Sequence, residues 1–314
     1  MGGAKADQVK PFLSYKQQIE LLARRGMSVK NFDQAAHQLE LLNYYRLSGY
    51  WHSMRALDRE TGRSLDVFRP GASFELVLDL YHFDEQLRDS VFTVLGRIEL
   101  AMRALIGHQL GAINPLIHLD AARMGAPACQ RYHNSSGNAH EVWLTKYDTA
   151  LQASREEFVE HHRRQYAGKL PIWAAVEVMD WGMLSHLYRM APNRARNEIA
   201  AKCRLRAPQL ESWLKCLNIV RNYSAHHARM FNRVFDIKPK LPKDPRLTAV
   251  SRCSNRAFGQ LTLAQYLLHE LQLSGTETLP SVLKKFPHNN LVPFSRLGAP
   301  ENWQENPLWA TKTV

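Results

Sequence analysis

Between Phe74 and Leu110 the chain runs without a proline through FELVLDLYHFDEQLRDSVFTVLGRIELAMRALIGHQL. Leu76, Leu80, Leu87, Val91, Leu95, Ile98, Met102 and Leu105 recur there at helical spacing, which lays an apolar stripe along an α-helix. Ser73 stands where a hydroxyl can accept from the unpaired amides of a first turn. The segment predicts one or two long helices, with Gly96 the place for a kink. Such a stripe must be covered, and no stretch of the chain alternates as a strand would. The fold class expected is therefore all-α, a core of long antiparallel helices.

The remaining segments arrange themselves around that core. Residues 14–50 read as two helices, the first capped by Gly26 and the second covering NFDQAAHQLELLNYYRL. DRETGRSLDVFRPGAS reads as a loop or short hairpin. Residues 111–140 look like an irregular insertion, and helical signal returns at 141–167. Pro171 opens a helix over PIWAAVEVMDWGMLSHLYRM, proline being tolerated in a first turn. APNRARNEIAAKCRLRAP is a basic connector holding one short helix, and Pro208 starts a helix that runs on to Phe235. Beyond it DIKPKLPKDPRL breaks the pattern, and a last helix fits LTLAQYLLHELQL. Phe294, Trp303 and Trp309 can pin the tail to the body. These changes of texture divide the chain into an N-terminal helical region at 1–68, a helical domain at 69–236, and a C-terminal extension packed on the core at 237–314.

Charge narrows the partner class. The 41 Lys and Arg outnumber the 29 Asp and Glu, giving a formal net charge of +12. That excess favours polyanions, nucleic acid first among them. An anionic membrane is the rival, but no compact basic amphipathic helix and no membrane-spanning apolar run stands out. The start of the chain lacks an apolar leader core. Cys129, Cys203, Cys216 and Cys253 form no C-x-x-C pair, and they read as reduced thiols of a cytosolic protein. There is no HExxH, no P-loop and no dinucleotide-binding glycine pattern, so no metal and no cofactor is expected.

The residues that carry chemistry lie in RNYSAHHARMFNR, Arg221 to Arg233. On a helical wheel Asn222, His226, Arg229 and Arg233 form one polar stripe, and Arg221 falls toward the apolar face. Histidine exchanges a proton near neutral pH, and arginine presents a charged planar fork to phosphate oxygens. Together they suit a metal-independent cut in RNA. The ribose 2′-OH attacks the adjacent phosphate, leaving a 2′,3′-cyclic phosphate and a 5′-OH. The bare Arg–His spacing is weak evidence, since it also occurs at Arg46/His52, Arg103/His108 and Arg155/His161.

RNYSAHHARMFNR resembles the signature of HEPN ribonucleases: Arg, a polar residue often Asn, then His four to six positions on. The wider chain is similar to the Abi-like abortive-infection family of the AbiD/AbiF type. The likeness is carried by LLNYYRLSGYW, FELVLDLYHFDEQLRD, GRIELAMRALIGHQL, FVEHHRRQYAGKLPIWAAVEVMDWGMLSHLY and WLKCLNIVRNYSAHHARMFNR, spanning roughly residues 12–235. The resemblance implies a HEPN-like antiparallel bundle with an N-terminal helical pair and a C-terminal helical and loop extension. It implies the toxic endoribonuclease of a bacterial anti-phage system, in the cytoplasm. Arg221, Asn222 and His226 match the catalytic positions, and His227, Glu99 and Arg103 are candidates to support them. Candidate RNA contacts are Arg229, Arg233, Arg189, Arg194, Arg196, Lys202, Arg204 and Arg206. RNA is the expected substrate, and a structured small RNA or a protein antitoxin the expected restraint. One motif per chain implies a homodimer that pairs two copies. The rival readings are a non-catalytic RNA-binding protein with a HEPN core, which scaffolds or senses a partner RNA, and, more weakly, a DNA-binding regulator built on the N-terminal helix pair.

Overall fold

In the computed structural model, residues 9–131 and 137–310 are described; the start of the chain, read above for a leader, lies outside them. The chain is mostly helical, with a single two-stranded sheet among the described residues, as the all-α expectation required. It divides into two compact units: residues up to Glu85 with Lys285–Arg296, and Gln86–Lys284 with the residues from Leu297 on. The division falls inside one helix, whereas the sequence texture placed its breaks at 68 and 236.

In the first unit α1 (Tyr15–Arg24) packs on α2 (Phe32–Leu42). Gly26 closes α1 in the left-handed region at φ +92°, and the Met27 amide reaches back to the Leu22 carbonyl at 3.1 Å. The single helix expected over 31–47 is instead two. Asn43 adopts φ 64° and ends α2, and its carboxamide accepts the Tyr45 amide at 2.9 Å to begin α3 (Tyr44–Trp51). Its ψ of 136° breaks the helical path, and its carboxamide caps the next helix, so one residue ends α2 and begins α3. Tyr50 and Trp51 are buried, and the Tyr50 hydroxyl donates to Asp84 at 2.7 Å. The hairpin forms: β1 (Arg55–Leu57) pairs antiparallel with β2 (Ser64–Phe68).

Helix α4 (Phe74–Gly111) is one element of 38 residues, running through Gly96. Ser73 Oγ accepts the Leu76 amide at 3.1 Å, as the capping argument requires.

The second unit holds α5 (Ala139–Ala153), α6 (Glu157–Gln165), α7 (Ile172–Ala175), α8 (Trp181–Met190), α9 (Asn193–Lys202), α10 (Ala207–Ala225), α11 (Ala257–Glu270) and α12 (Thr278–Leu283). Helix α10 lies against α8, α9 and α11. Buried indoles tie the layers: Trp143 donates to the Met183 carbonyl at 3.0 Å and Trp181 to the Leu214 carbonyl at 2.9 Å. The continuous helix expected from Pro171 is broken. Met179 is extended, and the Asp180 carboxylate accepts the Met183 amide at 2.7 Å to start α8 afresh. Arg103 secures this break by donating to the Met179 carbonyl at 2.9 Å while paired with Glu99 at 2.6 Å. LTLAQYLLHELQL is not the last helix, since α12 follows α11. Trp303 and Trp309 pin the tail against Phe258.

Gly259 on α11 marks the tightest backbone approach in this core. A Cβ there would sit 2.6 Å from Ser254 Cα and 2.7 Å from the Cys253 carbonyl oxygen, neither of which can rotate away. Gly259→Ala is therefore expected to destabilise the fold by about 1–3 kcal/mol, the usual cost of overpacking. An unchanged urea midpoint would mean that the 253–254 turn yields freely.

Candidate functional site

Helix α10 opens with Pro208 in its first turn and ends at Ala225, inside the motif. The continuous helix to Phe235 is thus corrected, and with it the stripe that joined Asn222 and His226 to Arg229 and Arg233. His226 is the C-cap, and His227 follows in the left-handed region at φ +52°. The His227 amide donates to the Ser224 carbonyl at 3.2 Å and the Ala228 amide to the Tyr223 carbonyl at 2.9 Å. That pair of bonds is a Schellman closure with histidine where glycine is usual. The segment beyond is committed elsewhere: Met230 and Phe231 are buried, and the Phe235 amide donates to the Asn255 carbonyl at 2.7 Å.

The turn exposes Asn222, His226 and His227 and leaves Arg221 half-buried. The Arg221 guanidinium carbon lies 5.6 Å from the centroid of the Phe92 ring on α4, a cation–π arrangement that leaves its N–H groups for an incoming anion. Among the described residues, no side-chain hydrogen bond or ion pair joins Arg221, Asn222 and His226. Arg233 turns back over the Tyr223 ring at 4.6 Å, its Nε donating to the Arg229 carbonyl at 3.3 Å.

His227 has a backbone role that can be separated from any chemistry. A non-glycine residue in the left-handed region costs about 1–2 kcal/mol. His227→Gly is expected to keep or slightly raise the thermal midpoint, and the β-branched His227→Val to lower it. The reverse order would show that the side chain, not the backbone, governs this turn.

The other expected contacts divide. Arg194, Lys202 and Arg206 are exposed. Arg196 is turned inward: it is 9% exposed and paired with Glu211. Arg204 pairs with Glu270 at 2.9 Å, and Arg189 lies 3.8 Å from Glu211. Arg196 is thus not part of a phosphate-tracking surface, because its charge is spent inside the fold. Glu99 and Arg103 hold the α7–α8 break: Arg103 bonds Glu99, Glu177 and the Met179 carbonyl, none of them in the motif. All four cysteines are free, and burial pushes the thiols of Cys203 and Cys216 up to about 12. Among the described residues no helix is long and apolar enough to cross a membrane.

One feature went unread in the sequence. A cavity of about 200 Å³ opens between α5, α8 and α10, lined in part by Lys146, Asp180, Gly182, His186 and Asn218. Asn218 precedes Asn222 by one helical turn. Its partners on the wall come from 139–146 and 180–186, beyond the reach of a local pattern.

A basic, helical protein whose bundle helix closes on an exposed Arg-Asn…His turn is the class these observations define. The chain belongs to the Abi-like protein family, whose model matches residues 37–232, from α2 through the turn after α10. Membership suggests a role in abortive infection, the defence against phage. No curated protein and no solved structure matches the chain.

Proposed function

We propose that this protein is the toxic effector of a bacterial abortive-infection system, a HEPN-type, metal-independent endoribonuclease of the cytoplasm held in check by a partner RNA or an antitoxin. The observation that carries the reading is the gathering of Arg221, Asn222 and His226 in the last turn and cap of α10, with Asn222 and His226 exposed. His226 takes the proton from the ribose 2′-OH as that oxygen bonds to phosphorus. The P–O5′ bond breaks, and the leaving oxygen receives a proton from an acid. Arg221 holds the phosphate and answers its developing charge, and Asn222 orients the reacting groups. A second copy of the chain, paired about a two-fold axis, would supply its own histidine as the acid.

The test is cleavage of single-stranded RNA by wild type and by His226→Ala, with the ends of the products identified. One observation favours a second reading. The three side chains make no hydrogen bond to one another within a single chain, which is also what a non-catalytic RNA-binding turn would look like. Under that reading His226→Ala leaves function intact, and loss follows removal of the exposed cations Arg194, Lys202 and Arg206.

A further inference from the structure

We infer that the cavity between α5, α8 and α10 is a phosphate subsite, which grips the RNA backbone beside the phosphate held at the α10 turn. The inference rests on the RNA reading of that turn and adds a second grip to it. On a helical wheel Lys215, Asn218 and Asn222 fall within about 60° of one another, so one face of α10 runs from the turn to the cavity. Asn218 lies about 6 Å along the axis from Asn222. A strand seated at the turn and following this face therefore meets the cavity next.

The groups around the cavity suit an anion. Lys146 and Lys215 are exposed, and neither makes an ion pair among the described residues. The Asn218 carboxamide, on the cavity wall, likewise makes no hydrogen bond there. Asp180 is the one carboxylate in the lining, and it is engaged in capping α8 through the Met183 amide at 2.7 Å. His186 reports the local field. Its pKa is lowered, first by burial and then by Arg189, Lys146 and Lys215, with only Asp180 acting in the opposite sense. A metal cation is disfavoured by those same positive charges. A stacked base is disfavoured too, because Trp143, the one tryptophan, tyrosine or phenylalanine in the lining, is buried. Gly182 keeps the wall open: a Cβ there would stand 3.2 Å from Asp180 Oδ1 and 3.7 Å from Asn218 Nδ2.

The test uses the full-length chain carrying His226→Ala, so that bound RNA stays intact. Fluorescence anisotropy measures affinity for a single-stranded RNA oligomer across a salt series, with and without Lys146→Ala and Asn218→Ala. Each added change should weaken binding about tenfold. Lys146→Ala should also reduce the slope of log K against log salt by about 0.7, one single-strand phosphate contact. Oligomers with one neutral methylphosphonate at successive positions then locate the contact. At least two positions should weaken the parent protein, one for the turn and one for the cavity, and only the cavity position should have no further effect on the Lys146→Ala chain. Unchanged slope and affinity, or equal losses at every methylphosphonate position, would overturn the subsite while leaving the turn's RNA reading in place. Failure of the parent chain to bind RNA at all would overturn both.

Discussion

Replacing His226 by alanine should slow RNA cleavage about 100- to 10,000-fold, the usual share of general acid–base catalysis. That range is about 3–5 kcal/mol of barrier. The substitution is clean for a structural reason. His226 is exposed, and its part in ending α10 is its backbone amide, which donates to the Asn222 carbonyl at 3.0 Å. Alanine keeps that amide, so the helix end should survive and RNA affinity should change little. Arg221→Lys is the companion measurement. It keeps the positive charge and removes the planar fork, so a loss of rate larger than any loss of affinity is expected. Wild-type products should carry 2′,3′-cyclic phosphate and 5′-OH ends. If the site is shared between two copies, mixing His226→Ala chains with Arg221→Ala chains should restore part of the rate. Equal cleavage by wild type and His226→Ala would sink the enzymatic reading.

Much of this molecule is legible in the order of its residues, and the parts that are not share a cause. Ser73, the proline-free run and the recurrent leucines announce α4 from local rules alone, and Gly26 announces the end of α1. The misread boundaries lie where a polar residue starts or stops a helix without glycine or proline. Asn43 and Asp180 each cap a new helix inside an apolar pattern that continues on both sides. His227 does the same for the motif: nothing local marks it as left-handed, and the turn is forced by the burial of Met230 and Phe231 and by the pairing of Phe235 with Asn255. The candidate site follows the same division. Arg221, Asn222 and His226 lie close in sequence, so a local motif is enough to nominate all three. The Phe92 ring beside Arg221, the inward turn of Arg196 toward Glu211, and the cavity at Asn218 depend on packing between distant helices.

His118 should make the fold acid-sensitive between about pH 6.5 and pH 4. It is fully buried, and neither ring nitrogen has a hydrogen-bond partner among the described residues. The Tyr147 ring meets it edge-on at 5.3 Å, and the His140 ring donates to the His118 backbone carbonyl at 2.8 Å. Burial first, and then the neighbouring His140, hold the His118 pKa down to about 4. A free histidine titrates near 6.5, so in this window the unfolded chain takes up a proton that the folded chain refuses. Stability is complete above pH 6.5 and is lost as the pH falls toward 4, by about 3 kcal/mol once both states are protonated. His118→Leu removes the titration and supplies apolar surface where no polar partner is given up. At pH 7 it should be nearly neutral or stabilising, because an unpaired polar group is replaced by one that needs no partner. Urea unfolding at pH 7, 6, 5 and 4 makes the comparison. The variant should gain on wild type at each step down, by about 3 kcal/mol in all. The carboxylates titrate alike in both chains and cancel in the difference. Parallel stability curves for the two proteins would show that His118 takes its proton in the folded state as readily as in the unfolded one.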